Sequence, residues 1–127
     1  MSADVSGLEA IADYLARAGA EMDRQTRQVL AKGALNIKRD WAANARASSG
    51  RYAPHYPRSI SYDPPTVGPG GAFVVIGPDK GAAQGALGNL LEYGGSKNPP
   101  HNDGGRALAA EEPRFFGAVE QLARGLL

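Results

Sequence analysis

Between Met22 and Trp41, apolar and small residues recur at steps of three and four: Met22, Thr26, Val29, Leu30, Gly33, Ala34, Ile37 and Trp41. Steps of that size put side chains on one side of a 3.6-residue helix, in a stripe wide enough to bury. The spacing predicts a long helix over 20–47. Its other side carries Arg24, Arg27, Lys32, Lys38, Arg39 and Arg46, and residues 21–51 hold seven basic and three acidic residues. Such a face is either solvated or a surface that meets an acidic partner, protein or DNA.

Upstream, residues 6–18 read as a separate short helix. Ser6 and Glu9 have capping-box spacing, and Leu8, Ile11 and Leu15 share one face. Gly19 stands between the two helices as a hinge, since glycine costs about 1 kcal/mol in a helix interior. Downstream, SSGRYAPHYP (48–57) ends the long helix with glycine and two prolines. SISY (59–62) and AFVVIG (72–77) are strand candidates, the second aromatic, β-branched and bounded by glycine. Together they predict a hairpin over 59–77 whose DPPTVGPGG loop (63–71) is a mobile tip. PDKGAAQGALG (78–88) is a small, polar loop, functional or disordered. NLLEYG (89–94) is a turn of helix or a piece of sheet, because periodicity cannot decide over six residues. A C-terminal helical segment follows over 105–126, capped by Asp103 and carrying Leu108, Phe115, Phe116, Val119 and Leu122. Pro113 either kinks it or opens a second helix.

The fold class these elements imply is α+β: one small domain, 1–127, with an antiparallel sheet packed against the long helix and the C-terminal helix beside it. Seventeen glycines and nine prolines predict long loops. A net charge of +1 argues against a dedicated nucleic-acid binder. The absence of cysteine removes disulfides, thiolate nucleophiles and cysteine-bound zinc. No apolar run approaches the ~20 residues that cross a bilayer, and the acidic N-terminus, broken by Gly7, does not read as a signal peptide. Catalytic constellations are missing. His55 and His101 lack metal-ligand spacing and read as exposed loop residues. No serine has a GxSxG context. Glu111 and Glu112 are adjacent and cannot act as a pair across one bond. GPGGAF lacks the Lys of a phosphate loop. The expectation is a non-enzyme that needs no metal or other cofactor.

The order of parts carries more than any single motif. A long basic-amphipathic helix runs into RYAPHYPRSI, ending in Arg58, Ser59 and Ile60; VVIG (74–77) follows, then Leu91-Glu92-Tyr93-Gly94, a double proline and an alanine-rich helix. This order resembles the tail-component family of long-tailed phages: the gene-product-ten-like proteins of Hong Kong-type siphophages, related to the tail-completion proteins of lambda-like phages. Gly95 stands where the family has threonine, and Arg106, Ala107 and Leu108 replace its usual Phe-Leu helix start.

The resemblance implies a structural virion protein, assembled in the host cytoplasm. It would form a homo-oligomeric, six-fold neck or tail-completion ring that joins the tail to the head connector. Its partners would be its own copies, the adjacent tail terminator and head-connector proteins, and genomic DNA passing through the lumen, with no membrane. A tail terminator, a head-closure ring and a non-specific DNA-binding protein are the alternatives. On this reading the subunit-interface candidates are Arg24, Arg27 and Lys38 on the long helix, and Pro69, Gly70, Gly71, Asp79 and Lys80 in the loops. Glu92, Tyr93, Gly94 and Gly95 join them as a turn toward a neighbour, with Tyr93 half-buried, although a plain turn within the domain remains open for them. Glu111 and Glu112 would offer an acidic patch to the next subunit of a head-to-tail ring.

Overall fold

The computed structural model describes residues 5–125. One helix, α1 (Val5–Ser49), takes up more than a third of them. The expected break at Gly19 does not occur. Good helix formers flank that glycine, and continuing a formed helix costs far less than nucleating another. The backbone is already helical at Val5, and the Ser6 side chain of the expected capping box lies outside the described residues.

After α1 comes a single turn, α2 (Tyr56–Ser59), with Pro57 in its first turn. The hairpin follows in two parts. Strands β1 (Ile60–Tyr62) and β4 (Ile76–Pro78) pair antiparallel, with Ser61 opposite Gly77. Strands β2 (Thr66–Gly68) and β3 (Gly71–Phe73) form a second antiparallel pair at the tip, closed by Pro69-Gly70. Four of the nine residues of the expected 63–71 loop, Thr66–Gly68 and Gly71, are therefore paired strand. The predicted strand 72–77 is split, with Val74 and Val75 between β3 and β4. Pro64 and Pro65 cause the split, because neither can donate to a ladder. One further bond, from Asp63 N–H to Val75 O (3.0 Å), extends the inner pair.

NLLEYG is helical. A 3₁₀ turn (Gly85–Leu87) leads directly into α3 (Gly88–Tyr93), so of the two readings the turn of helix holds and the piece of sheet does not. Gly94 ends α3 at φ +81°, where a Cβ would also strike Asn98 O and Pro100 N at 2.7 Å; only glycine fits there. The chain loops through Gly95–Asn98 and returns. His101 and Asn102 then donate N–H to the Leu91 and Glu92 carbonyls at the end of α3 (2.9 and 3.1 Å). The last helix, α4 (Asp103–Arg124), starts two residues earlier than expected and passes through Pro113 without a break.

α4 lies antiparallel along the inner half of α1. Asp103 sits by Ser48, Glu111 by Asn36, and the α1 backbone at Gly33 approaches Phe115. Leu30, Ala34 and Ile37 are buried along this seam. A second cluster of Ala45, Ala53, Tyr56 and Ile60, with Trp41, Ile76 and Leu91 packed against it, joins α1 to the hairpin and α3. Trp41 links the two halves. A Cβ on Gly104 would lie 2.7 Å from its ring, and one on Gly77 3.9 Å. Ile37 faces α4 rather than the buried cluster at the hairpin. It lines a groove with Leu108, Phe115, Phe116 and Val119 of α4, because α4, not the hairpin, covers that turn of α1.

Candidate interaction surfaces

The features that position the functional surfaces start at Glu92. Its buried carboxylate accepts the Gly104 N–H at Oε1 (2.9 Å) and the Gly105 N–H at Oε2 (3.0 Å). The first amides of a helix have no partner within it and carry partial positive charge. Glu92 thus caps α4 from a different helix. Asn102, at the N-cap position itself, has φ +53° and makes no side-chain cap. Asp103, expected to cap, instead accepts from Ser48 Oγ (3.0 and 2.8 Å) and Arg106 Nη2 (2.7 Å), and is fully buried. His101 is not an exposed loop residue. Its Nδ1 is buried 3.9 Å from Asp103 Oδ2. Burial raises the Tyr56 phenol above its ordinary range, an effect that the nearby Trp41 indole partly offsets. These groups form an interior lock between α1, α3 and α4.

The lock leaves the N-terminal part of α1 uncovered. α4 ends at Arg124, and Gln121 and Leu122 lie across from Gln25 and Val29. Every residue from 7 to 20 is exposed. The stripe that α4 covers further along continues here without a partner among the described residues: Leu8, Ile11, Tyr14 and Leu15 are 58–72% exposed.

The basic face is not uniform. Glu21 holds Arg24 by a two-point ion pair, which with a bond from Gln25 draws the Glu21 carboxyl down to about 2 and raises Arg24. Arg27 is paired with Asp23 and also donates to Pro65 O (2.8 Å), tying α1 to the hairpin. These two expected interface residues are engaged within their own chain. Lys38 lies 5.9 Å from the Tyr62 ring centre and lines a groove of about 440 Å³ with Arg39, Ala42, Arg46, Pro57 and Arg58. Among the described residues, none of these four cations has a carboxylate within ion-pair distance. The sequence showed three of them along one helix. Arg58 joins from α2, which no helix periodicity could reveal.

The remaining candidates fall apart in space. Pro69, Gly70 and Gly71 form the exposed tip turn, far in topology from α3. Asp79 is exposed and accepts from the Gly81 N–H (2.8 Å), and Lys80 is exposed beside it. Tyr93 is exposed, not half-buried. Gly94 and Gly95 shape the turn after α3. Glu111 cannot serve an acidic patch. It is buried against α1, accepts from Asn36 Nδ2 (2.9 Å) and sits 2.9 Å from Arg114 Nη2. Adjacency on a helix turns Glu112 about 100° away, and it alone of the two is exposed.

Among the described residues no group of three or more His, Cys, Asp or Glu is placed to hold a metal ion, and no helix is long and apolar enough to cross a membrane. Comparison of the chain with family models, with curated proteins and with solved structures returned no match.

Proposed function

We propose that this protein is a structural component of a tailed-phage virion: a neck or tail-completion ring subunit that joins the tail to the head connector. The observation that carries the reading is the uncovered stretch of α1. A helix that leaves Leu8, Ile11, Tyr14 and Leu15 exposed in one chain is built to meet another. The order of RYAPHYPRSI, VVIG, LEYGG and the C-terminal helix supports the phage assignment, and the α+β fold accommodates it. In this role the protein works by ordered self-association into a six-fold ring and catalyses nothing. It contacts the terminator and head-connector proteins, encloses the DNA path, and resides in the virion after assembly in the host cytoplasm.

The test is genetic. A phage lacking this gene should accumulate filled heads and free tails that do not join, and complementation with the labelled protein should place density at the neck in electron micrographs. Tails that lack a defined length would point to a terminator, and heads that leak DNA to a closure ring. Normal joined particles without the gene product would end the proposal.

A further inference from the structure

We infer that the basic groove between α1 and α2 binds the phosphate backbone of double-stranded DNA without regard to sequence. The inference goes beyond the role proposed above and does not rest on it. The charge and geometry of the single chain carry it.

The groove gathers charge that the chain as a whole hides. Residues 38–62 hold five basic residues, Lys38, Arg39, Arg46, Arg51 and Arg58, and one acidic residue, Asp40. Asp40 is turned to α4, where it meets Arg114 (3.4 Å). Lys38, Arg39, Arg46 and Arg58 line the groove with Ala42, Pro57 and Ile60, and among the described residues no carboxylate lines it. Arg39, Arg46 and Arg58 are exposed, and Lys38 is half-buried. Charge elsewhere on α1 is different. The exposed arm of α1, residues 7–20, carries Glu9 and Asp13 against Arg17 alone, and Arg24 and Arg27 are held by Glu21 and Asp23. The net charge of +1 thus averages an acidic arm with a basic groove, and it is the local field that a ligand meets.

The residue types select phosphate. Three of the four cations are arginines, whose planar fork of donors matches two oxygens of one phosphate. Lys38, Ala42 and Arg46 recur at steps of four, so they run along one face of α1 over about 12 Å. Arg58 joins them from α2. One strand of duplex carries a charge per ~3.4 Å of axis, so a row of that length spans several phosphates. An acidic protein fits this surface less well. Protein interfaces are anchored by a desolvated centre poor in charge and rich in aromatic side chains. Here the uncharged lining is Ala42 with Pro57 and Ile60, both already buried within their own chain. No aromatic lines the groove among the described residues, so it lacks the stacking platform of a single-strand site. Contacts to phosphate position a duplex and read no sequence.

Fluorescence anisotropy of a short labelled duplex of mixed sequence, titrated with the full-length protein, tests the site. Four phosphate contacts predict a slope of log affinity against log salt of about −3.6, a loss of roughly a hundredfold between about 50 and 200 mM salt. Arg39→Gln with Arg46→Gln should reduce the slope to about −1.8 and weaken binding roughly tenfold or more at low salt. Arg39→Lys with Arg46→Lys keeps the charges and should hold the slope at about −3.6, which separates lost contacts from misfolding. Arg24→Gln with Arg27→Gln removes as much net charge from the same helix. Both positions lie about 16 Å or more along α1 from Lys38, beyond the ~10 Å screening length at 0.1 M salt, so this pair should leave the slope unchanged. Absence of binding at low salt overturns the inference, as does an equal loss from the two glutamine pairs. Tighter binding of the matching single strand would overturn the duplex assignment. Competition by polyglutamate as strong as by unlabelled duplex would give the groove to an acidic protein instead. If DNA binding is absent while the labelled protein still localises to the neck, only the groove assignment is wrong. If the groove behaves as expected and the neck density is missing, the functional reading falls and the groove assignment stands.

Discussion

Replacing Glu92 with alanine should destabilise the protein by about 3 kcal/mol through the loss of two hydrogen bonds. Its carboxylate accepts two backbone N–H groups at the start of α4, and it is almost fully buried. A hydrogen bond to a charged group contributes about 1.5–3 kcal/mol, and a buried donor left unpaired costs about 1–3 kcal/mol. Loss of an ordinary side-chain cap costs about 0.5–2 kcal/mol. Both bonds here come from one group, and the Gly105 end is only half-buried, so water can satisfy part of the deficit. The sum is therefore discounted to about 3 kcal/mol. Glu92→Gln keeps one acceptor oxygen but turns an NH₂ toward the other amide, and should lose roughly half as much. Urea unfolding followed by circular dichroism gives the free energy. Fluorescence adds a local reading, because Trp41 is the single tryptophan and rests on Gly104, one of the capped residues. A loss below about 0.5 kcal/mol for the alanine variant, with unchanged Trp41 emission, would refute the cap argument.

Gly104→Ala should cost about 1–3 kcal/mol in urea unfolding, since its Cβ would meet the Trp41 ring at 2.7 Å and either the ring or α4 must shift. Gly19→Ala, where a Cβ meets nothing, should instead raise helicity and stabilise by about 0.5–1 kcal/mol. Pro113→Ala should stabilise α4 by about 1–3 kcal/mol, as it restores an N–H inside a helix and removes a ring clash; thermal melts that move down would contradict this. The Glu21 carboxyl, held at about 2 by Arg24 against an ordinary 4.5, contributes stability above pH 4.5 that is lost as the pH falls through about 2. In circular dichroism at acid pH, Glu21→Gln should remove that part of the pH dependence.

The long helix was legible because its stripe is local: Met22 to Trp41 announces both the helix and the face that α4 covers. The Gly19 break was misread because propensity is a residue property, whereas helix continuity is cooperative. Two strands and their pairing were legible in SISY and AFVVIG. The prolines that cut the hairpin in two sit on the strand opposite Val74 and Val75 and act only through pairing. LLEYGG stood out as punctuation, and its purpose is the Glu92 cap and the Gly94 turn. The capped amides lie 12 and 13 residues further on, across a loop, beyond any capping-box window. The charge pattern was visible without its pairing. Arg24 and Arg27 are taken up by neighbours on their own helix, Glu111 turns inward, and the free cations gather where α2 brings Arg58 to α1.

Because α1 runs unbroken from arm to core, the direction in which the arm presents its residues is phase-locked to the body. A single residue inserted between Gly19 and Met22 would swing Leu8, Ile11 and Leu15 round by about 100°. An insertion of seven residues would bring them back to within about 20° while moving them outward by about 10 Å. Relatives of this chain should therefore vary the length of this stretch in steps of three, four or seven residues, and seldom by one or two.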